Sequence, residues 1–340
     1  MLTEENLPPL KILEGSIVDT PDSALMPRYK VFRDSILLVK EDKPIGKFLK
    51  FFNLNTGELI AQYFNKGDGP NDLLSPIVYT NNSDDNISIL DVATSANFVM
   101  NMDSILMHGD DYIPHRITIT DFIKSISWMG DSLAIASNGL YLEGHNDPED
   151  IPEFIKYDGK TGKRQGDNSV VNKINCSYVG GSKIYSNSEK KIIFAGYRAP
   201  RAAFYDLNFN LIKEFIGPEN DDLEYEEVAE LGGLFYKDLL NCEFYGNGTC
   251  DDKYIFIINV HQYKQPEYKG NSNKIISEAT DIYIFSWDCE LVARIKSKET
   301  YRIISLSYCN ESKSLYITGE DMDGDRNRNL IRFDLAKILK

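Results

Sequence analysis

Three aspartates alternate in the segment Glu320-Asp321-Met322-Asp323-Gly324-Asp325-Arg326. Carboxylates at alternate positions of a short loop are what a Ca²⁺ ion asks of its ligands. The EF-hand pattern is not met: Arg326 stands at the sixth position, where glycine is needed, and Arg332 at the twelfth, where a glutamate closes the site. No cofactor is required by the sequence, and Ca²⁺ on Asp321, Asp323 and Asp325 is the one it leaves open. A polar hairpin loop accounts for the same residues. A second cluster, Tyr197-Arg198-Ala199-Pro200-Arg201, sets two guanidiniums beside a phenol, a combination suited to a carboxylate, a phosphate or a sugar acid.

Signatures of catalysis are missing. His108, His115, His145 and His261 are dispersed, and no His-Glu-x-x-His, Gly-x-Ser-x-Gly or phosphate-loop pattern occurs. Cys176, Cys242, Cys250, Cys289 and Cys309 lack zinc-type spacing and are odd in number, which argues against a complete disulfide framework. Cys242 and Cys250 face each other across a hairpin, or both are buried free thiols. The net charge of −15 opposes binding to nucleic acid. No run is long and apolar enough for a membrane span. The opening Met1-Leu2-Thr3-Glu4-Glu5-Asn6 is no secretory leader, so the reading is cytoplasmic if the sequence is complete, and periplasm or cell envelope if a leader or lipoprotein signal has been removed.

The elements that would position such residues repeat. Twenty Tyr and 17 Phe beside 2 Trp lean towards sheet. Short apolar strands end in a polar residue at Asn53, Asn101, Asp158, Asp206, Ser286 and Asp334, at separations of 48, 57, 48, 80 and 48 residues. A period in the forties belongs to four-stranded propeller blades, and Asx or Ser at a strand end initiates a tight turn. The expected fold is therefore all-β, a single six-bladed β-propeller of four-stranded antiparallel blades. The blades span approximately residues 25–65, 76–108, 121–166, 178–216, 236–297 and 301–340, after an N-terminal segment, 1–24, whose stretch Leu10 to Val18 would close the ring as the missing outer strand. The longer intervals are read as a loop from Ser137 to Pro152, a helical insert from Asp221 to Leu231, and a polar loop from His261 to Thr280.

The linker Asn65-Lys66-Gly67-Asp68-Gly69-Pro70-Asn71-Asp72-Leu73, with a weaker echo at Ile216-Gly217-Pro218-Glu219, resembles the glycine–proline linkers of bacterial TolB-like six-bladed propellers, which are akin to NHL propellers. Asn71-Asp72-Leu73 stands where that family has Gly-Glu-Phe. The resemblance implies the propeller fold and leaves activity open, because many such proteins have no known function.

In a propeller, linkers and inter-strand loops converge at one mouth of the central channel. That places Lys66, Asp68, Asp72, Arg116, Tyr197, Arg198, Arg201, His261, Tyr263 and Arg302 on a polar loop face. The function expected is non-enzymatic binding of a protein partner, a polar small molecule or a glycan by a monomer. The alternative is a hydrolase or lyase acting on a carbohydrate or lactone at the channel mouth.

Overall fold

The computed structural model describes residues 6–21, 27–41, 46–67, 69, 71–81, 85–94, 96–119, 123–129, 133–138, 155–167, 181–186, 188–196, 201–217, 225–228, 233–236, 245–265, 274–322 and 327–339. Two short strands open the chain, β1 (Leu10–Leu13) and β2 (Ser16–Val18). The first sheet follows with β3 (Pro27–Phe32), β4 (Ile36–Glu41), β5 (Lys47–Asn53) and β6 (Leu59–Asn65). The second holds β7 (Pro76–Asn81), β8 (Asn86–Asp91), β9 (Ala96–Asn101) and, after helix α1 (Met102–His108), β10 (His115–Thr118). The third is β11 (Ile123–Met129), β12 (Leu133–Asn138), β13 (Ile155–Asp158) and β14 (Arg164–Asp167). The fourth is β15 (Gly181–Ser186), β16 (Lys191–Gly196), β17 (Arg201–Asp206) and β18 (Leu211–Ile216). A hairpin, β19 (Tyr225–Val228) and β20 (Gly233–Tyr236), precedes β21 (Tyr245–Cys250), β22 (Tyr254–Gln265), β23 (Lys274–Ser286) and β24 (Glu290–Ser297). The last sheet has β25 (Tyr301–Cys309), β26 (Ser314–Asp321) and β27 (Arg328–Asp334). The architecture is an all-β propeller.

All six repeat residues end the third strand of their sheet, and at four of them the side chain explains why. Asn53 Oδ1 accepts the N–H groups of Asn55 (2.9 Å) and Thr56 (3.1 Å), and Asp158 Oδ1 those of Lys160 (3.1 Å) and Thr161 (2.7 Å). Asp206 Oδ1 does the same for Asn208 and Asn210. Each side chain mimics a backbone turn and starts the hairpin to the fourth strand. Asn101 makes the equivalent bond to Ser104 N at 3.2 Å, but there it caps α1. The outer strand of the second sheet therefore begins at His115, beyond the boundary at 108 expected from the sequence.

Neighbouring sheets pack face to face through apolar side chains. Phe32, Leu38 and Phe64 meet Ile87, Phe98 and Met100 between the first and second sheets, with the Phe64 and Phe98 rings 4.9 Å apart. Leu90 and Ile117 meet Ile126 and Tyr157 between the second and third. Lys156 then crosses to the fourth sheet, donating to the Leu207 carbonyl at 2.7 Å over the Phe209 ring. Phe204 packs on Phe285 and Trp287, Phe256 on Tyr308, and Tyr316 with Leu330 on Val31 and Val39 of the first sheet. Burying each such ring is worth roughly 2–3 kcal/mol.

Several expectations are corrected. Five sheets have four strands, not six: the β21–β24 sheet has five, because β1 pairs parallel to β24 and covers its edge. An uncovered eight-residue edge would leave a row of unpaired backbone groups. Leu10 to Val18 is thus two strands on two sheets, and only Ser16–Val18 joins the last sheet, antiparallel to β27. Tyr225–Val228, within the stretch read as helical, is strand β19, which pairs with β20 just beyond that stretch; Tyr225, Val228, Phe235 and Tyr236 favour strand. The supposed polar loop from His261 to Thr280 is largely strand, since β22 and β23 stay paired out to Gln265 and Lys274. The stretch from 139 to 154 lies outside the described residues.

One buried carboxylate ties the first linker to the second sheet. Asp91 accepts from Ser75 N (2.8 Å), Leu74 N (3.0 Å) and Thr94 Oγ1 (2.8 Å) while fully buried. Replacement by alanine strands these donors, so Asp91→Ala is expected to cost roughly 2–4 kcal/mol and lower Tm by several degrees in calorimetry. An unchanged Tm would show that water replaces the carboxylate there.

Candidate functional site

The first strands of the sheets face one another at the centre. Alternation along β3 turns Tyr29 and Val31 to the core beside Tyr316 and Leu330, and Arg28 and Lys30 to the opposite side. On β4, Lys40 lies directly across from Arg28 in the strand register, while its neighbour Glu41 points away and pairs with Lys50 at 2.6 Å. The three cations line a central cavity of about 260 Å³. Its other described walls are Leu38 of β4, Pro76, Ile77, Val78 and Tyr79 of β7, Asn86 and Ser88 of β8, Ser182, Ile184 and Tyr185 of β15, Asn247 and Gly248 of β21, and Ser305 of β25.

Neighbouring elements hold this wall in place. Ser305 Oγ donates to the Tyr29 carbonyl at 2.9 Å and shares a hydrogen bond with Thr318 Oγ1 at 2.8 Å. Tyr29 N donates to Thr318 Oγ1, and Val31 N to Ser307 Oγ. Hydroxyls of the last sheet thus satisfy the backbone of β3, the strand that carries Arg28 and Lys30. Gly248 is needed at the opposite wall: a Cβ there would sit 2.2 Å from Ile184 Cδ1 and 2.7 Å from the Phe256 carbonyl oxygen. Without that side chain β21 approaches β15 closely.

Lys30 is half-buried and donates its ammonium to the Leu306 carbonyl. Burial pushes its pKa down to about 8 from an ordinary 10.5. No carboxylate, histidine or cysteine stands among the described lining residues. Cys250, Cys289 and Cys309 are buried, and burial pushes Cys309 up to about 12, far from a nucleophile's range.

The residues expected to form a loop-face site are spread over the molecule. Lys66 is exposed in a linker bridge to Leu73. Asp72 is half-buried, accepts from Asn65 Nδ2 at 3.3 Å, and fills the space where Gly67 and Gly69 would carry side chains. Arg116 is exposed on the outer strand β10, its guanidinium 5.8 Å from the Phe98 ring centre. Arg201 is 1% exposed: it pairs with Glu214 and donates to Tyr205 Oη at 2.6 Å, so it braces the fourth sheet. Arg302 is exposed on β25 opposite Glu320, and Asp321 lies opposite Tyr301. His261 and Tyr263 occupy β22 opposite Glu278 and Ile276; their side chains lie outside the described residues, as do Asp68, Tyr197, Arg198, Asp323 and Asp325. Among the described residues no group of three or more His, Cys, Asp or Glu is placed to hold a metal ion. No helix among them is long and apolar enough to cross a membrane.

Arg28 and Lys30 were not expected from sequence, where attention fell on loops. The signal was two bases two residues apart in Pro27-Arg28-Tyr29-Lys30-Val31-Phe32, which alternation places on one face of an inner strand.

The sequence matches no protein-family model and no curated protein. Among solved structures, a DUF4221 family member from Bacteroides vulgatus superposes with TM-score 0.60 at 12% identity, over 96% of this chain and 97% of that one. A Bacteroides fragilis protein gives TM-score 0.56 at 11% identity, covering 96% of each chain. The β-propeller domain of Cps50 (Swd1) from Myceliophteria thermophila gives 0.48 at 10% identity, over 94% of this chain and 99% of that one. The two Bacteroides structures share the fold of this chain. At such identities the likeness extends to the fold alone.

Two outcomes follow from this geometry. Arg201→Met leaves Glu214 and the Tyr205 hydroxyl without their partner, and is expected to destabilise the fold by about 2–4 kcal/mol in denaturant unfolding; a change within 0.5 kcal/mol would mean that the pair is solvated. Lys30, whose folded pKa lies below its unfolded one, keeps the full cost of its buried charge below pH 8. Between about pH 8 and 10.5 the unfolded chain binds the extra proton, so this residue's contribution to stability rises with pH. Unfolding of Lys30→Met across that window should lack the rise, and an identical profile in both proteins would refute the assignment.

Proposed function

We propose that this propeller is a non-enzymatic binder of a small polar ligand, held in the central cavity rather than on the loop face. The observation that carries this reading is the cavity itself: about 260 Å³, with polar side chains from the first strands of five sheets set among apolar ones. Concave sites where several elements converge, with a few polar groups placed on rigid strands, are where small ligands bind. The five-stranded sheet, read as a further blade beside the five four-stranded ones, supports a ring of six units. The glycine-bearing linker ending at Asp72 supports kinship with TolB-like propellers. A hydrolase or lyase would call for carboxylates or histidines from several sheets at one mouth. The described lining residues supply neither.

The test is thermal unfolding of the full chain with neutral sugars, acidic sugars, small carboxylates and inorganic phosphate. A ligand at 100 times its Kd stabilises by about 2.7 kcal/mol, enough for a Tm shift of several degrees. Filling the cavity with Ile77→Trp or Ser182→Trp should abolish the shift. An equal shift in both filled variants, or none with any solute in the native chain, would overturn the proposal.

A further inference from the structure

We propose that Lys30 is a covalent attachment point: its amine condenses with the aldehyde or ketone of a small solute held in the central cavity, giving an imine. This rests on the reading of the cavity as a binding site and names the chemical class of its ligand. Alternation along β3 brings Lys30 to the cavity wall while its neighbours Tyr29 and Val31 turn into the core. Its Nζ donates to a neutral group, the Leu306 carbonyl of β25. No carboxylate stands among the described lining residues to hold the amine as a cation. Arg28 and Lys40 share the wall, but each is engaged with a partner of its own, and the chemistry falls to Lys30 alone.

A neutral amine donates an N–H to that carbonyl and keeps its lone pair for the solute, whereas an ammonium has no lone pair to give. Burial lowers the Lys30 pKa to about 8, so that about a tenth of it is neutral at pH 7, against well under a thousandth of an ordinary lysine. Desolvated lysines of this kind are the ones that form Schiff bases with carbonyl compounds. The step needs no oxidant or reductant. The Nζ lone pair adds to the carbonyl carbon, and a proton passes from nitrogen to oxygen to give a carbinolamine. Loss of that hydroxyl as water, with the second N–H proton, leaves the C=N bond, and returning water reverses it. The hydroxyls of Ser88 and Ser182, on walls from the second and fourth sheets, supply hydrogen-bonding groups for the remainder of the solute.

The experiment is reductive trapping of the full chain with glycolaldehyde and cyanoborohydride, which turns an imine into a stable secondary amine. Peptide mass mapping then locates the adducts. At pH 7 Lys30 is expected to react at least about tenfold faster than Lys298 on the exposed surface; its larger neutral fraction outweighs the weaker nucleophilicity of a less basic amine. The Lys30 rate should level off above about pH 8, while the Lys298 rate keeps rising towards 10.5. Lys30→Arg keeps a cation but no nucleophilic amine, and should lose the fast adduct; circular dichroism and Tm separate lost reaction from lost folding. Ile77→Trp, which fills the cavity, should slow modification of Lys30 at least about fivefold and leave Lys298 unchanged. If Lys30 reacts no faster than Lys298 while the filled variants still abolish a solute's thermal shift, the carbonyl assignment fails and the cavity site stands. If Lys30 reacts equally fast in Ile77→Trp, the cavity reading itself fails. If there is neither fast modification nor a thermal shift, both are overturned.

Discussion

A β-sheet with two apolar faces cannot stand in water alone, and the first sheet of this chain is of that kind. Leu38 and Phe51 bury one face of the first sheet against the second, while Val31 and Val39 bury its other face against the last. The same holds between the fourth sheet and the β21–β24 sheet at Phe204, Phe285 and Trp287. Covering both faces of such sheets with other sheets favours a closed arrangement. A central cavity is the geometrical consequence, because four-stranded units standing side by side cannot all bring their first strands to one line.

The closed arrangement also decides where polar groups go. Hydroxyls of Ser305, Ser307 and Thr318 replace a backbone partner for β3, so the last sheet joins the first through side chains as well as apolar contact. A buried, satisfied network of this kind fixes relative position more sharply than apolar packing does. It holds the strand that presents Arg28 and Lys30. Edges are treated with the same economy: β2 completes the last sheet, and β1 covers the long edge of β24. Two adjacent segments of one terminus thus serve two different sheets.

Much of the fold was legible because its punctuation is chemical. Asn53, Asp158 and Asp206 each bind two backbone N–H groups ahead of them, a local event that a sequence displays without any tertiary contact. The same side-chain chemistry at Asn101 begins a helix, a difference that depends on Met102 and Ile105 finding apolar cover. The site was less legible. Arg201 reads as a surface base in a Tyr-Arg-Ala-Pro-Arg run, yet it lies buried against Glu214 and Tyr205, thirteen and four residues away. Arg28 and Lys30 read as ordinary alternation in a strand, and only the position of that strand at the centre gives them a cavity to face.

By itself the sequence determined the strand repeat, the all-β class and the turns, because these follow from period-two alternation and from side chains bonding to their own backbone within a few residues. Tertiary structure alone decided which sheet β1 joins, which hydroxyls satisfy the backbone of β3, and which bases share a wall. Those outcomes depend on partners up to three hundred residues distant: the edge of β24 for β1, the Leu306 carbonyl for Lys30, and Thr318 for the backbone of Tyr29. Local propensity cannot encode such pairings, since their energy exists only once the sheets have closed on one another.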